Sequence, residues 1–370
     1  MLRRYRLLWA PLLWALLSVP LAVMLLAPDP ATVDRREMRP LADWPALSDG
    51  HGGWKRIPAR IDAYLADHFG LRSQMLALQA LLTQRLLHNG NASVLIGREG
   101  WLFYAAYDSL QQSAGVLVRS RRVARTAKII AMAAHELAAR GTRFLVAVPP
   151  ASSTVYDAML PPWARNRGRP TEYDLLLAEL TARGVPVLDL RPGLRASALA
   201  DQQVYLRHDT HWNALGALLA FNLVAEAMGH PEWRLDPETE LAPIERQGGD
   251  LARMLAIEDA VSETTSFLRQ PPPGSEVPEH DRQPPYRLEA GGPGPSVLVI
   301  GDSFTRRYFP PLAFGKASRF AWIHHDGCTL DWSWVADTAA DEVWWMPTER
   351  LLLCRPEAPL PKLAASSPTG

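Results

Sequence analysis

Three short stretches of the chain are almost wholly apolar: FLVAV (residues 144–148), SVLVI (296–300) and EVWWM (342–346). A strand with one face in water alternates apolar and polar residues, so a continuous apolar run belongs to a strand covered on both faces. VPVLDL (185–190) and RFAWI (319–323) read as further strands of the same kind. Helical spacing separates them. Residues 119–140 are Ala-rich with an apolar stripe and stop at Gly141; residues 171–183 and 214–229 are also helical. Strands alternating with helices imply a parallel sheet with helices on both faces. In such sheets a site forms beyond the C-terminal ends of the strands.

The rest of the chain is organised around that unit. Residues 1–28 form a cytoplasmic tip and membrane anchor, 29–53 a stalk, 54–350 the α/β domain, and 351–370 a Pro/Ala/Ser tail. In the first part, MLRRYR precedes an uncharged apolar run over residues 7–27. At about 1.5 Å per residue a helix of that length spans a hydrocarbon core of about 30 Å. Arg3, Arg4 and Arg6 precede it and Asp29 follows, which leaves the remainder outside the cytoplasm. The run is longer than the apolar core of a cleaved signal and lacks an A-x-A site, which favours a retained single-pass anchor.

Within the α/β domain, residues 54–68 and 72–87 are helical, with Gly70 between them. SVLIGREGWLFY (93–104) has the pattern of a hairpin. Residues 270–295 are Pro/Gly-rich without periodicity and read as a long surface loop. Lys plus Arg and Asp plus Glu are both 39, so no global field points to nucleic acid. Cys328 and Cys354 admit two readings, a disulfide of an oxidising compartment or two small buried side chains.

Two motifs carry chemistry. The strand at 296–300 runs into Gly301-Asp302-Ser303-Phe304, which places Ser303 on a tight turn at a strand end with helix-forming residues behind it. Helix-start N–H groups there would face a developing oxyanion. A serine hydroxyl needs a neighbouring base. YLRHDTHWNALGA (205–217) offers His211 as that base and Asp209 to hold its tautomer. Other readings of the same residues stay open. Asp209 or Asn213 can N-cap the helix that follows, Gly-Asp-Ser can be an ordinary turn, and His208, Asp209 and His211 can hold a metal. No further cluster with ligand spacing completes a metal site, so none is expected.

These pieces also resemble a known family. ADHFGLR (66–72), IGREGWLFY (96–104), VPPASSTVYDAMLP (148–161), YLRHDTHWNALGA, GGDLARML (248–255) and VIGDSF (299–304) together resemble the alginate O-acetyltransferase family of SGNH-hydrolase-like proteins, in particular its membrane-anchored AlgJ-type members, relatives of the AlgX type. The resemblance runs from residue 54 to about 346. It implies an SGNH-hydrolase-like three-layer α/β/α fold with a mostly parallel sheet, here preceded by one N-terminal transmembrane helix. It puts the nucleophile on Ser303, the base on His211 and the orienting carboxylate on Asp209, with the D-x-H block before the serine, as that family has it. Gly248-Gly249-Asp250 matches a family block to which no role is given.

By the same resemblance, acetyl passes from a membrane-bound O-acyltransferase partner to Ser303, then to a hydroxyl of an exopolysaccharide such as alginate. That implies an exopolysaccharide biosynthesis complex at the inner membrane, with the catalytic domain in the periplasm. No CoA or nucleotide motif is present and no soluble cofactor is expected. For the oxyanion, the Ser303 N–H and the Asn213 side chain are the candidates. Arg306 and Tyr308 are candidates to contact the polymer, and Trp212, Trp101 and Tyr104 either stack on sugar rings or belong to the core. Two other functions fit the motifs: an acetylesterase using the same triad, in which water replaces the sugar, and an inactive anchored adaptor. The adaptor is expected to carry a broken triad, and Ser303 and His211 are both intact.

Overall fold

The computed structural model describes residues 93–275 and 286–362, the helix Ile57–His68, and a few separate positions before residue 71. In chain order the elements used below are α1 (Ile57–His68), β1 (Val94–Ile96), β2 (Leu102–Tyr104), α2 (Ser120–Ala138), β3 (Arg143–Ala147), α3 (Glu172–Ala182), β4 (Val187–Leu188), α4 (Arg191–Leu199) and α5 (Ala214–Ala227). There follow β5 (Leu241–Gln247), α6 (Asp250–Met254), β6 (Ser262–Leu268), β7 (Tyr286–Glu289), β8 (Val297–Gly301), α7 (Ser303–Arg306), α8 (Phe309–Ala313), β9 (Arg319–His324), α9 (Trp332–Thr338) and β10 (Glu342–Met346).

The apolar runs form the sheet. Its order is β4-β3-β10-β8-β9-β7. The first five strands run parallel, and β7 closes the β9 edge antiparallel, so the sheet is mixed. Side chains alternate between two cores because successive residues of a strand point to opposite faces. Leu145, Val299, Trp322 and Trp344 pack with α5 and α8 in one core. Val146, Ile300, Ile323 and Trp345 pack with α2, α3 and α9 in the other. The result is a three-layer α/β/α arrangement.

Local chemistry sets the element ends. Thr171 caps α3 in a reciprocal box with Asp174. The buried Glu172 beside it accepts Arg119 Nε at 2.8 Å and Nη2 at 2.6 Å, which ties the starts of α2 and α3 together. Gly141 after α2 takes φ +79°, a conformation that favours glycine.

The structure corrects several expectations. Residues 270–295 are not loop throughout, because Tyr286–Glu289 pairs with β9. Tyr286 and Leu288 pack on the first core while Arg287 and Glu289 face water, an alternation too short to stand out beside so many prolines. VPVLDL yields only the two residues of β4, because Asp189 turns back to accept the Arg191 N–H at 2.9 Å and ends the strand. Packing of the second core continues past residue 350. Leu352, Leu353, Cys354 and Ala358 are buried in the second core, and a disulfide joins Cys354 to Cys328. The β5–β6 pair was not foreseen at all. The apolar segment 7–27, the stalk at 29–53 and the helix expected over 72–87 fall wholly or largely outside the described residues. Among the described residues no helix is long and apolar enough to cross a membrane.

The Cys328–Cys354 bridge closes a loop of sequence separation 26. Loop-closure entropy for that length corresponds to about 3.5 kcal/mol of stability. Cys354→Ser should lower the denaturant midpoint accordingly. Reducing agent should bring the parent protein down to the variant and leave the variant unchanged; equal midpoints without reductant would contradict the pairing.

Candidate active site

Parallel strands bring their C-terminal ends to one rim, and Ser303 stands there immediately after β8. Asp302 N-caps α7, accepting the Phe304 N–H at 3.0 Å, while its other oxygen accepts the Thr348 N–H at 2.7 Å beyond β10. The turn is thus fastened to the neighbouring strand end. Gly301 is required by packing, since a Cβ there would lie 2.2 Å from Thr305 Oγ1. Ser303 itself is half-buried and opens α7, and the next three amides all donate to Asp302, Phe304 N–H to its side chain and the Thr305 and Arg306 N–H to its carbonyl.

The segment 205–213 reaches the same rim from the other side. Ser303 Oγ lies 2.8 Å from His211 Nε2 across 92 positions of sequence. His211 Nδ1 is 2.7 Å from Asp209 Oδ1. An ionised carboxylate only accepts, so Nδ1 carries the proton and Nε2 presents its lone pair to the serine hydroxyl. Asp209 is buried and takes three further donors. Its Oδ1 accepts the His211 backbone N–H at 3.1 Å, and its Oδ2 accepts Arg246 Nη2 at 2.7 Å and the Asp250 N–H at 3.2 Å.

These contacts set the protonation states. Burial opposes the charge of Asp209, but the bond and charge of His211 and the Arg246 guanidinium outweigh it and hold the carboxyl well below the usual carboxylate range. Burial likewise opposes charging of His211, yet Asp209, with a smaller part from Asp250, raises its pKa above that of free imidazole. Asp250 shifts upward through burial and the nearby Asp209 charge.

Asp209, His211 and Asp250 place one ligand atom each within 4.8 Å of one another, a spacing open to a metal. The donor chemistry speaks against one. Asp209 Oδ2 already faces the Arg246 cation, and both Asp250 oxygens accept from Thr210, its N–H at 2.7 Å and its hydroxyl at 2.5 Å. His208 is not part of this group; its Nδ1 stands 3.6 Å from Glu263.

Other candidates fall differently. Asn213 N-caps α5, accepting the Gly216 N–H at 3.0 Å, and its amide donates to Gln203 O and Thr265 Oγ1. Buried and committed in this way, it offers no donor to an oxyanion or a substrate. Tyr308 is 5% exposed, its ring packed edge-on to Phe267, so it belongs to the core rather than to a polymer-binding surface. Arg306 is half-buried on the same short helix as Ser303. Trp212 and Trp101 are core residues; the Trp212 Nε1–H donates to Phe304 O at 2.9 Å. Tyr104 is half-buried, and the Arg350 guanidinium sits over its ring at 5.2 Å and over Phe304 at 5.5 Å. Phe304 in turn lies 5.0 Å from the His211 ring.

Three residues here went unrecognised in the sequence: Arg246, Asp250 and Arg350. Arg350 follows the last strand, where the strand-end rule points, and Asp250 stands in a Gly-Gly-Asp block. Arg246 carried no signal of its own.

The fold is an α/β/α arrangement with a serine at the end of β8, and the class of protein it belongs to is SGNH-hydrolase-like. The family model described as "SGNH hydrolase-like domain, acetyltransferase AlgX" matches residues 94–313, more than half of the 370, and the chain belongs to that family. Among its relatives, the probable alginate O-acetylase AlgJ of Pseudomonas aeruginosa is 30% identical over 197 residues, 51% of this chain and 44% of that protein. AlgJ of Pseudomonas putida is 28% identical over 201 residues, 50% of this chain and 47% of the relative. The chain therefore spans about half the length of these relatives. In fold it is similar to Bacillus cereus PatB1, with a TM-score of 0.54 at 13% identity over 71% of this chain and 97% of that one.

Only a neutral His211 can take the serine proton. Sulfonylation of Ser303 by a phenylmethanesulfonyl fluoride probe, followed by intact mass, should slow as pH falls through a midpoint above the ordinary imidazole value of about 6.5. A midpoint below it would contradict the influence of the two carboxylates.

Proposed function

We propose that the chain is a periplasmic O-acetyltransferase that moves acetyl onto hydroxyls of an exopolysaccharide, alginate or a similar polymer, through an acetyl-Ser303 intermediate. The observation that supports this reading most is the unbroken relay from Asp209 through His211 to a strand-end hydroxyl, in a chain of an acetyltransferase family. In the first displacement His211 takes the Ser303 proton as Oγ attacks the acetyl carbonyl, and the imidazolium returns that proton to the leaving oxygen. In the second, a sugar hydroxyl gives its proton to His211, attacks the acetyl-serine, and the proton passes back to Ser303 Oγ. Asp209, held ionised, stabilises the imidazolium in both. The Ser303 N–H at the start of α7 is the oxyanion donor in this reading.

The donor in this scheme is a membrane-bound O-acyltransferase within an exopolysaccharide biosynthesis complex. Residues 1–28 keep the enzyme at the inner membrane as a single-pass anchor and 29–53 act as its stalk. The cysteine pair fits an oxidising compartment. On the acceptor side, Arg350, stacked on the Tyr104 ring and near His211, offers a cation to a sugar, with Arg306 nearby on α7. The acetylesterase reading shares the first displacement and differs only in that water discharges the serine.

The test supplies a small acetyl ester with and without oligosaccharides of the candidate polymers. Ser303→Ala, His211→Ala and Asp209→Ala should each lower kcat on the order of 10⁴-fold or more with the fold retained, and the triple variant should be little worse than the serine variant. Wild-type protein should yield acetylated oligosaccharide. Ester hydrolysis that oligosaccharide does not divert would move the assignment to the esterase; near-parental turnover in Ser303→Ala would reject the relay.

A further inference from the structure

The segment Gly248-Gly249-Asp250 docks on the turn that carries the histidine, and every contact is specific. Gly249 takes φ +149°, and a Cβ there would lie 2.1 Å from His208 O and 3.1 Å from Asp209 Cβ, so only glycine permits the approach. The Ala252 N–H donates to His208 O at 3.1 Å. The Asp250 N–H donates to Asp209 Oδ2 at 3.2 Å. The Asp250 side chain then grips the residue between aspartate and histidine, accepting the Thr210 N–H at 2.7 Å and the Thr210 hydroxyl at 2.5 Å. Thr210 has one hydroxyl proton and gives it to Asp250, so its oxygen faces His211 Nδ1, 3.2 Å away, with a lone pair. The Nδ1–H is left with acceptors only: Asp209 at 2.7 Å, Thr210 at 3.2 Å and, farther off, Asp250 Oδ2 at 3.7 Å.

We propose that Asp250 is a positioning residue of the relay: through the Thr210 amide and hydroxyl it fixes the 209–211 turn and the direction of the Thr210 proton, so that His211 keeps Nδ1 protonated and Nε2 bare toward Ser303. The inference rests on the assignment of Ser303 and His211 made above. The charged and titratable groups around the ring are Asp209 and Asp250 on its Nδ1 side, Ser303 on its Nε2 side, Arg350 across Phe304, and Arg246 acting on Asp209. Asp250 adds to the carboxylate field that raises the His211 pKa, while Arg350 works against it.

Asp250→Asn keeps the shape and reverses the bond. A carboxamide N–H facing Thr210 Oγ1 donates, which turns the threonine proton toward the Nδ1–H and disfavours the working tautomer. The experiment measures kcat, KM and the pH profile of small acetyl-ester turnover for Asp250→Asn, Thr210→Val and Ser303→Ala, with thermal midpoints alongside. Asp250→Asn should lower kcat at least 10-fold at nearly unchanged KM. Its acid-limb midpoint should move to lower pH, because a negative neighbour of His211 is removed. Thr210→Val should lower kcat in the same direction. Parental kcat and midpoint in Asp250→Asn, or a change confined to thermal stability, would overturn the role. If Asp250→Asn does not fold, Thr210→Val decides alone, and parental kcat in it overturns the proposal. Parental turnover in Ser303→Ala would instead remove the relay itself. An inactive Ser303→Ala beside an unaltered Asp250→Asn rejects only the part given to Asp250.

Discussion

The arrangement depends on one buried anion. Asp209 sits almost without solvent and is held ionised by donors from three separate parts of the chain: its own turn, Arg246 on β5, and the amide that opens α6. An unpaired carboxylate in that position would cost several kcal/mol. The β5–β6 pair and the Gly-Gly-Asp segment must therefore close on the 205–213 segment before that charge is stable. The buried Glu263 on β6 repeats the theme, accepting the backbone N–H of Arg207 and the Gln203 side chain. What these contacts fix is the direction of one imidazole.

The sheet supplies the other half. Asp302 ties the end of β8 to Thr348 beyond β10, and the buried Glu349 ties that same segment to the end of β3, through the Ala151 N–H at 2.8 Å and the Thr154 hydroxyl at 2.9 Å. Three adjacent strand ends are thereby locked into one rim. Arg350, the next residue, is carried over the Tyr104 and Phe304 rings. The apolar runs that form the sheet thus have a chemical consequence. Strands buried on both faces give a rigid sheet, and a rigid sheet lets a hydroxyl be held at hydrogen-bond distance from a histidine presented by another part of the chain.

What the sequence revealed follows from where each signal is local. FLVAV, SVLVI, RFAWI and EVWWM coincide with strands of the sheet to within a residue, because burial on both faces leaves its mark along the run. The short edge strand β7 packs Tyr286 and Leu288 only, and so escaped notice in a proline-rich stretch. Asn213 lay between two readings, cap and oxyanion donor, and its contacts show the cap. Tyr308 was polar by type but buried by position. Cys328 and Cys354 were undecidable by spacing, since pairing needs a fold to bring residue 354 back onto the second core. Arg246 and Asp250 act only through tertiary contacts with Asp209 and Thr210, and nothing near them in sequence announces those partners. The pairing of Ser303 with His211 was legible in the motifs, and the family resemblance added the order of the blocks.

The most direct test of the central claim is to look for acetyl on the serine itself. The protein is mixed with a small acetyl ester, quenched in acid within the first turnovers, digested, and the peptide containing Ser303 is weighed. The account predicts an acetyl group on Ser303 that builds up in the parent protein, is absent from His211→Ala, and is discharged faster when an acceptor oligosaccharide is present. Continued ester turnover with Ser303 unmodified at every time point, or acetyl carried by a different residue, would contradict it.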